Sequence, residues 1–221
     1  MSFASSTQPV LASIGGGRDM MLADSGNYFV AITPTPATGI VAGVVHTFVE
    51  TTPFLVVFNS GLNNIYPAHL HLLCSVVDTT DGAAKFLTNT IDNGNRLSAI
   101  GSGVVLKIAN TNSGSTNSGS AICTAGPVTA SAATGGRKIV SHSQVRSLKV
   151  HVVQDTIAVN WGGAHQSLVS TLINNSTTHS DTVVNLAPIV IGPGQSMVMV
   201  YWGATYTVAP TYEVEFAYVE K

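Results

Sequence analysis

Ile189-Val190-Ile191-Gly192-Pro193-Gly194-Gln195-Ser196-Met197-Val198-Met199-Val200-Tyr201-Trp202 holds two apolar runs on either side of a Gly-Pro-Gly tripeptide. Proline fixes φ and glycine supplies positive φ, so Gly192–Gly194 reads as a turn joining two strands. A further strand is expected from Thr211, where Tyr212, Val214, Phe216 and Tyr218 alternate with Glu213, Glu215, Ala217 and Val219. That period of two belongs to a sheet with one buried face. A last strand so regular is tied into its sheet, which favours a β-sandwich or barrel.

Charge is scarce. Only 9% of the 221 residues are Asp, Glu, Lys or Arg, against about 25% in an ordinary globular domain. Mean hydropathy is +0.32, yet no uninterrupted apolar run reaches the roughly 18–20 residues a membrane span needs. Ile40 to Val49 is broken by Gly43, His46 and Thr47. So apolar a chain is expected to hide surface against other subunits, because obligate interfaces are large and hydrophobic. A net charge of −2 gives no basic footprint for nucleic acid. Met1-Ser2-Phe3-Ala4-Ser5-Ser6 shows no basic segment leading into an apolar one, so no secretory signal is expected. Without one, the overlapping sequons in Asn174-Asn175-Ser176-Thr177 read as part of a polar loop. Cys74 and Cys123 are too few for a disulfide framework and are expected buried and reduced.

Residues 1–26 read as an extended N-terminal arm, with Gly15-Gly16-Gly17 before Arg18 as a linker and no helix pattern in Asp19-Met20-Met21-Leu22. Residues 27–221 read as one β-domain. Strands are expected at Asn27–Thr33, Gly39–Glu50, Phe54–Asn59, His69–Val77, Gly103–Ala109, Ala121–Ala130, Val145–Val153, Thr156–Trp161 and Thr182–Leu186, before the terminal pair. Turn clusters such as Thr33-Pro34-Thr35-Pro36, Asp78-Thr79-Thr80-Asp81-Gly82 and Asp92-Asn93-Gly94 separate them. Asn110–Ser120 is low in complexity and is expected to be a long exposed loop. Ser167–Asn174 fits a short helix or a strand equally well. The whole is all-β, a jelly-roll-like β-sandwich of two four-stranded sheets with extra edge strands. An immunoglobulin-like sandwich would need a Cys…Trp…Cys spacing that is absent.

His69-Leu70-His71 is the most suggestive local pattern. On a strand both imidazoles share one face, roughly 6.5–7 Å apart along the chain, and a third ligand from another strand would complete a metal site. Cupins, also jelly rolls, carry His-x-His followed by Glu, but Leu72-Leu73-Cys74-Ser75-Val76-Val77 follows here. Leu70, Leu72, Cys74 and Val76 make the better core face, so the histidines are expected at the surface and no metal ligand is assigned. His46, His142, His151, His165 and His179 are scattered. No nucleophile elbow, His-Glu-x-x-His, Cys-x-x-Cys or phosphate loop occurs. Asp78, Asp81 and Asp92 are expected to stabilise turns, and Glu213 and Glu215 to face outward. No enzyme, cofactor or small-molecule substrate is expected. Arg137, Lys138, Arg146 and Lys149, interleaved with His142 and His151, form the one basic cluster. These four, with Arg18 and His151, are the candidate partner-binding residues, where charge would set register and specificity. The other readings are a solvated sheet face and, third, a nucleic-acid contact, against which stands the lack of interleaved aromatics.

The arm before Asn27, the Ile189–Trp202 hairpin, the final Tyr212–Val219 strand, the Ser/Thr/Asn/Gly-rich composition and the low charge together resemble viral jelly-roll structural proteins. Among these, the chain is similar in architecture to capsid cement (decoration) proteins of tailed bacteriophages. The resemblance implies a homotrimer on the outer capsid surface of the virion that bridges capsomers. It implies the chain itself and the major capsid protein as partners, and neither nucleic acid nor membrane. Two alternatives follow from other features. One is a receptor- or carbohydrate-binding head of a viral fibre, with Tyr66, Trp161, Trp202 and Tyr206 stacking on sugars. The other is a cupin-like metal-binding protein built on His69 and His71.

Overall fold

The alternating run at the end of the chain forms the strand expected of it, and the rest of the domain wraps around that strand. The structure is a computed structural model and describes residues 18–42, 47–77, 84–133, 136–146, 153–162, 170–172, 181–203 and 208–221. Gly15–Gly17, His46, Asp78, Asp81, Lys149, His151, His165, the 174–177 sequons, His179 and Tyr206 lie outside the described residues. In chain order the elements are α1 (Arg18–Asp24), β1 (Tyr28–Ile32), β2 (Ile40–Val41), β3 (Leu55–Asn59), β4 (Ile65–Val76), β5 (Lys85–Asp92), β6 (Leu97–Ala99), β7 (Val104–Val105) and β8 (Lys107–Asn110). They continue with β9 (Ala121–Ala125), β10 (Thr129–Ala130), β11 (Lys138–Arg146), β12 (Thr156–Trp161), β13 (Ser170–Leu172), β14 (Asp181–Leu186), β15 (Ser196–Trp202) and β16 (Thr211–Glu220).

The pairing is that of one antiparallel ribbon folded at the connection from β5 to β11. β5 pairs with β11, β4 with β12, β3 with β15 and β1 with β16, all antiparallel. Rolling this ribbon up brings β16 between β1 and β4, and β15 between β3 and β5. The product is the two four-stranded sheets of a jelly roll. Additional strands widen both sheets. The first runs β13-β14-β12-β4-β16-β1-β8, with β2 also on β16, and the second runs β11-β5-β15-β3-β9-β7. β14 lies parallel to β12.

Between the sheets lies the main core. Phe29, Leu70, Leu72, Tyr212, Phe216 and Tyr218 of the first sheet face Leu55, Leu87, Cys123, Met197, Met199 and Tyr201 of the second. Each such side chain contributes roughly 1.5–3 kcal/mol on burial. Both cysteines are buried and free. A second cluster, Val56, Val128, Val198 and Val200, lies with Phe48 and Leu97 packed on it. It forms because residues flanking β3 and the small β6–β10 sheet lie over the outer face of the second sheet, where Ala130 N–H donates to the Thr51 carbonyl. β15 is therefore buried on both faces, not one.

Several expectations need correction. Gly192–Gly194 does turn the chain, with Gly194 at φ +74°, but it joins no hairpin. Ile191 makes an isolated bridge to Ile65 in the first sheet, whereas β15 belongs to the second. The turn is a corner between sheets. Arg18–Asp24, expected as arm, is a helix whose Leu22 is buried. The Gly39–Glu50 strand reduces to Ile40–Val41 among the described residues. Gly103–Ala109 breaks at Leu106 as the chain passes from β9 to β1, and Ala121–Ala130 breaks at Gly126-Pro127. β5, unpredicted, is a central partner of both β11 and β15. Ser170–Leu172 is strand. The 110–120 loop is exposed as expected, but its amides anchor it. Asn112 Nδ2 donates to the Asp24 carbonyl (2.9 Å), and Asn110 Nδ2 and Asn117 Nδ2 donate to that of Gly26.

Candidate functional site

The basic cluster is not one free patch. Arg137 donates from Nη1 to Glu50 Oε1 at 2.9 Å, so its charge is already answered. Lys138 is exposed at the start of β11, paired in register with Ile91. Arg146 stands opposite Lys85 at the other end of the same strand. Arg18 is in α1, and Lys149 and His151 are outside the described residues. Val145 and Arg146 belong to β11, which begins seven residues earlier than the expected strand, while Val153 lies in a turn. Lys138 is thus exposed to solvent, and Arg137 is held in an ion pair with Glu50.

Behind Glu50 lies a residue no sequence argument singled out. Arg96 is 1% exposed. Its Nε donates to the Ser131 carbonyl (2.7 Å) and its Nη1 to Asp92 Oδ2 (3.1 Å). Nη2 stands 3.8 Å from Glu50 Oε2, and neither of these two atoms makes a hydrogen bond. Asp92, expected to stabilise a turn, is buried at the end of β5. The i,i+4 spacing of Asp92 and Arg96 was the available signal, hidden inside an Asp-Asn-Gly turn cluster. On the same outer face Phe86, His142 and Trp202 stack from three adjacent strands, with ring centroids 4.8–5.6 Å apart. Trp202 Nε1 donates to Thr88 Oγ1 (2.9 Å), which lies 2.8 Å from His142 Nδ1.

The outer face of the first sheet carries the other ionisable groups. Alternation along β4 buries Leu70, Leu72 and Cys74 and turns His69 and His71 outward, as expected. Register sets His71 opposite Glu215 and Leu73 opposite Glu213. His69 Nε2 lies 2.9 Å from Glu215 Oε1, with both side chains well exposed, so the pair adds little stability. Glu213 Oε2 accepts from the Ala37 N–H at 3.1 Å. Beside these groups opens a pocket of about 230 Å³ lined by Ile32, Thr33, Pro36, His71, Leu73, Glu213, Val214 and Glu215. Among the described residues, no three His, Cys, Asp or Glu side chains are grouped so as to hold a metal ion.

The aromatic residues proposed for sugar stacking divide. Trp161 is core, edge-on to Phe216 with centroids 6.0 Å apart. Trp202 is half-buried in the stack just described, and Tyr66 is half-buried on β4. Deep between the sheets, burial pushes the Cys123 thiol and the Tyr218 phenol up from their ordinary ranges, with the nearby Glu220 carboxylate adding to both. Groups held neutral in the fold but free to ionise when unfolded stabilise fully below their unfolded pKa. That contribution is lost as pH rises toward the folded value. Stability is therefore expected to stay level through pH 8 and to fall from about pH 8.5 upward, the ordinary thiol range. A urea midpoint that held constant to pH 10.5 would contradict this.

No protein-family model and no curated protein matches the chain. Among solved structures, one titled "Structure of deformed wing virus carrying the GFP gene" aligns over 99% of this chain and 85% of its own, with 10% identity and a TM-score of 0.27. At that score the alignment adds nothing to the fold assignment, which rests on strand order and register. No helix among the described residues is long and apolar enough to cross a membrane.

Proposed function

We propose that the chain is a non-enzymatic structural protein of a virion, a capsid cement or decoration protein that associates with itself and binds the outer capsid surface. One observation carries the reading. In a chain with so few charges, large apolar side chains stand exposed on strands of both sheets, among them Ile32, Val41, Val105, Ile122 and Ile139. Scattered apolar exposure is ordinary. Here, with only 9% ionic residues, little charge is left to keep separate copies apart. Partner subunits and a capsid lattice would cover that surface. A trimer is the expected assembly, with the Lys138 edge available for contact.

Native mass spectrometry and light scattering at micromolar concentration test this. The expected result is one closed oligomer that re-binds stripped capsids. A monomer without affinity for capsids would sink the proposal.

A further inference from the structure

We propose that the pocket on the outer face of the first sheet receives the start of β11 from a second copy of the chain. This rests on the self-assembling reading above and names its contact. The pocket has an apolar base, Ile32, Pro36 and Leu73, and an acidic rim, Glu213 and Glu215. Glu213 spends one oxygen on the Ala37 N–H and Glu215 one on His69, which leaves an oxygen of each open to a further donor.

The complementary element is on the opposite sheet. β11 is the outermost strand there, pairing with β5 alone among the described strands of its sheet. At its start Ile139 is 56% exposed beside the exposed Lys138. Ile139 supplies the apolar group a pocket of that size accepts, and Lys138, which leaves the strand on the opposite face, brings its ammonium round the open edge to the rim carboxylates on its flexible stem. Arg137 cannot serve, since Glu50 holds it. Lys107, opposite Ile32 in register, marks the far margin of the pocket and repels a cation approaching from that side. The strand must enter from the His71 side.

Two acidic faces repel each other, and so do two β11 edges. The contact joins pocket to edge, and in the trimer proposed above it runs head-to-tail, the arrangement that closes into a ring when its rotation is a whole fraction of a turn. Charge across it sets partner choice and register. At physiological salt the screening length is about 8 Å, so the effect operates only at contact.

Charge reversal tests the pair. Oligomer mass is measured by sedimentation and native mass spectrometry in 0.15 M salt for Glu213→Lys, for Lys138→Glu, and for the two combined, with circular dichroism to verify folding. Each single change should weaken association about tenfold, and the combination should restore it. Mixing the two single variants should restore association between unlike copies only, in alternating order, because both junctions between unlike copies have matched charges and neither junction between like copies does. Ile139→Asp, at an exposed edge position, should also dissociate the ring without unfolding the domain. An oligomeric parent unaffected by either single change, or not restored by the combination, overturns this contact and leaves the assembly reading standing. A monomeric parent overturns both.

Discussion

Arg96→Ala should lower the urea midpoint sharply, at a cost of about 3–5 kcal/mol, the range found when one partner of a buried ion pair is removed. The guanidinium joins three parts of the chain: Asp92 at the end of β5, the Ser131 carbonyl beyond β10, and Glu50 over the second sheet. Alanine takes the guanidinium away from the buried Asp92 carboxylate and leaves an empty volume in its place, and removing one member of a buried ion pair is costly. Lysine at 96 should recover only part of the loss, since one ammonium cannot serve Asp92 and Ser131 in the fixed geometry of the guanidinium. Arg137→Ala, which breaks the exposed end of the same network, should cost under about 1 kcal/mol. Equal losses for Arg96→Ala and Arg137→Ala would show that burial is not what makes Arg96 matter.

Trp161→Ala is the second large effect, at about 3–5 kcal/mol for a large aromatic removed from a core. Trp161 closes β12 with its ring edge-on to Phe216 and 7% exposed. Its Nε1 is buried without a hydrogen bond, and an unmade bond of that kind costs about 1–3 kcal/mol. Trp161→Phe gives up contact area but removes the orphaned donor, so its net cost should be small. The contrast between Ala and Phe, read from thermal or urea unfolding, separates packing from recognition. If Trp161→Ala left stability unchanged and abolished glycan binding, the residue would belong to a surface site after all.

How much the residue pattern reveals depends on how one-sided each strand is. β16 is legible because Tyr212, Val214, Phe216 and Tyr218 meet the core while Glu213 and Glu215 meet water. The same logic put His69 and His71 outside. β5 is not legible. Lys85-Phe-Leu-Thr-Asn-Thr-Ile-Asp mixes polar residues on both faces, because Thr88 bonds His142 and Trp202 on one side while Asn89 bonds Ser141. A strand whose polar groups are satisfied by its neighbours shows no alternation. α1 is too short to show a helical period, and burial of Leu22 holds it in place. The candidate site divides in the same way. Glu213, Glu215 and His71 could be placed on outward faces, but nothing local says that Ile32 and Pro36 close a pocket beside them.

From the sequence alone, the all-β class, the outward histidines, the buried reduced cysteines and the shortage of charge all followed, since each depends on residue type and on a two-residue period. Strand order, the passage of the Gly192–Gly194 turn from one sheet to the other, and the burial of Asp92, Arg96 and Trp161 were decided only in the tertiary structure. The reason is that alternation specifies which side of a strand is apolar, and is silent on the neighbour that covers it. That choice is made among segments far apart in the chain, by whichever pairing buries both apolar faces at once.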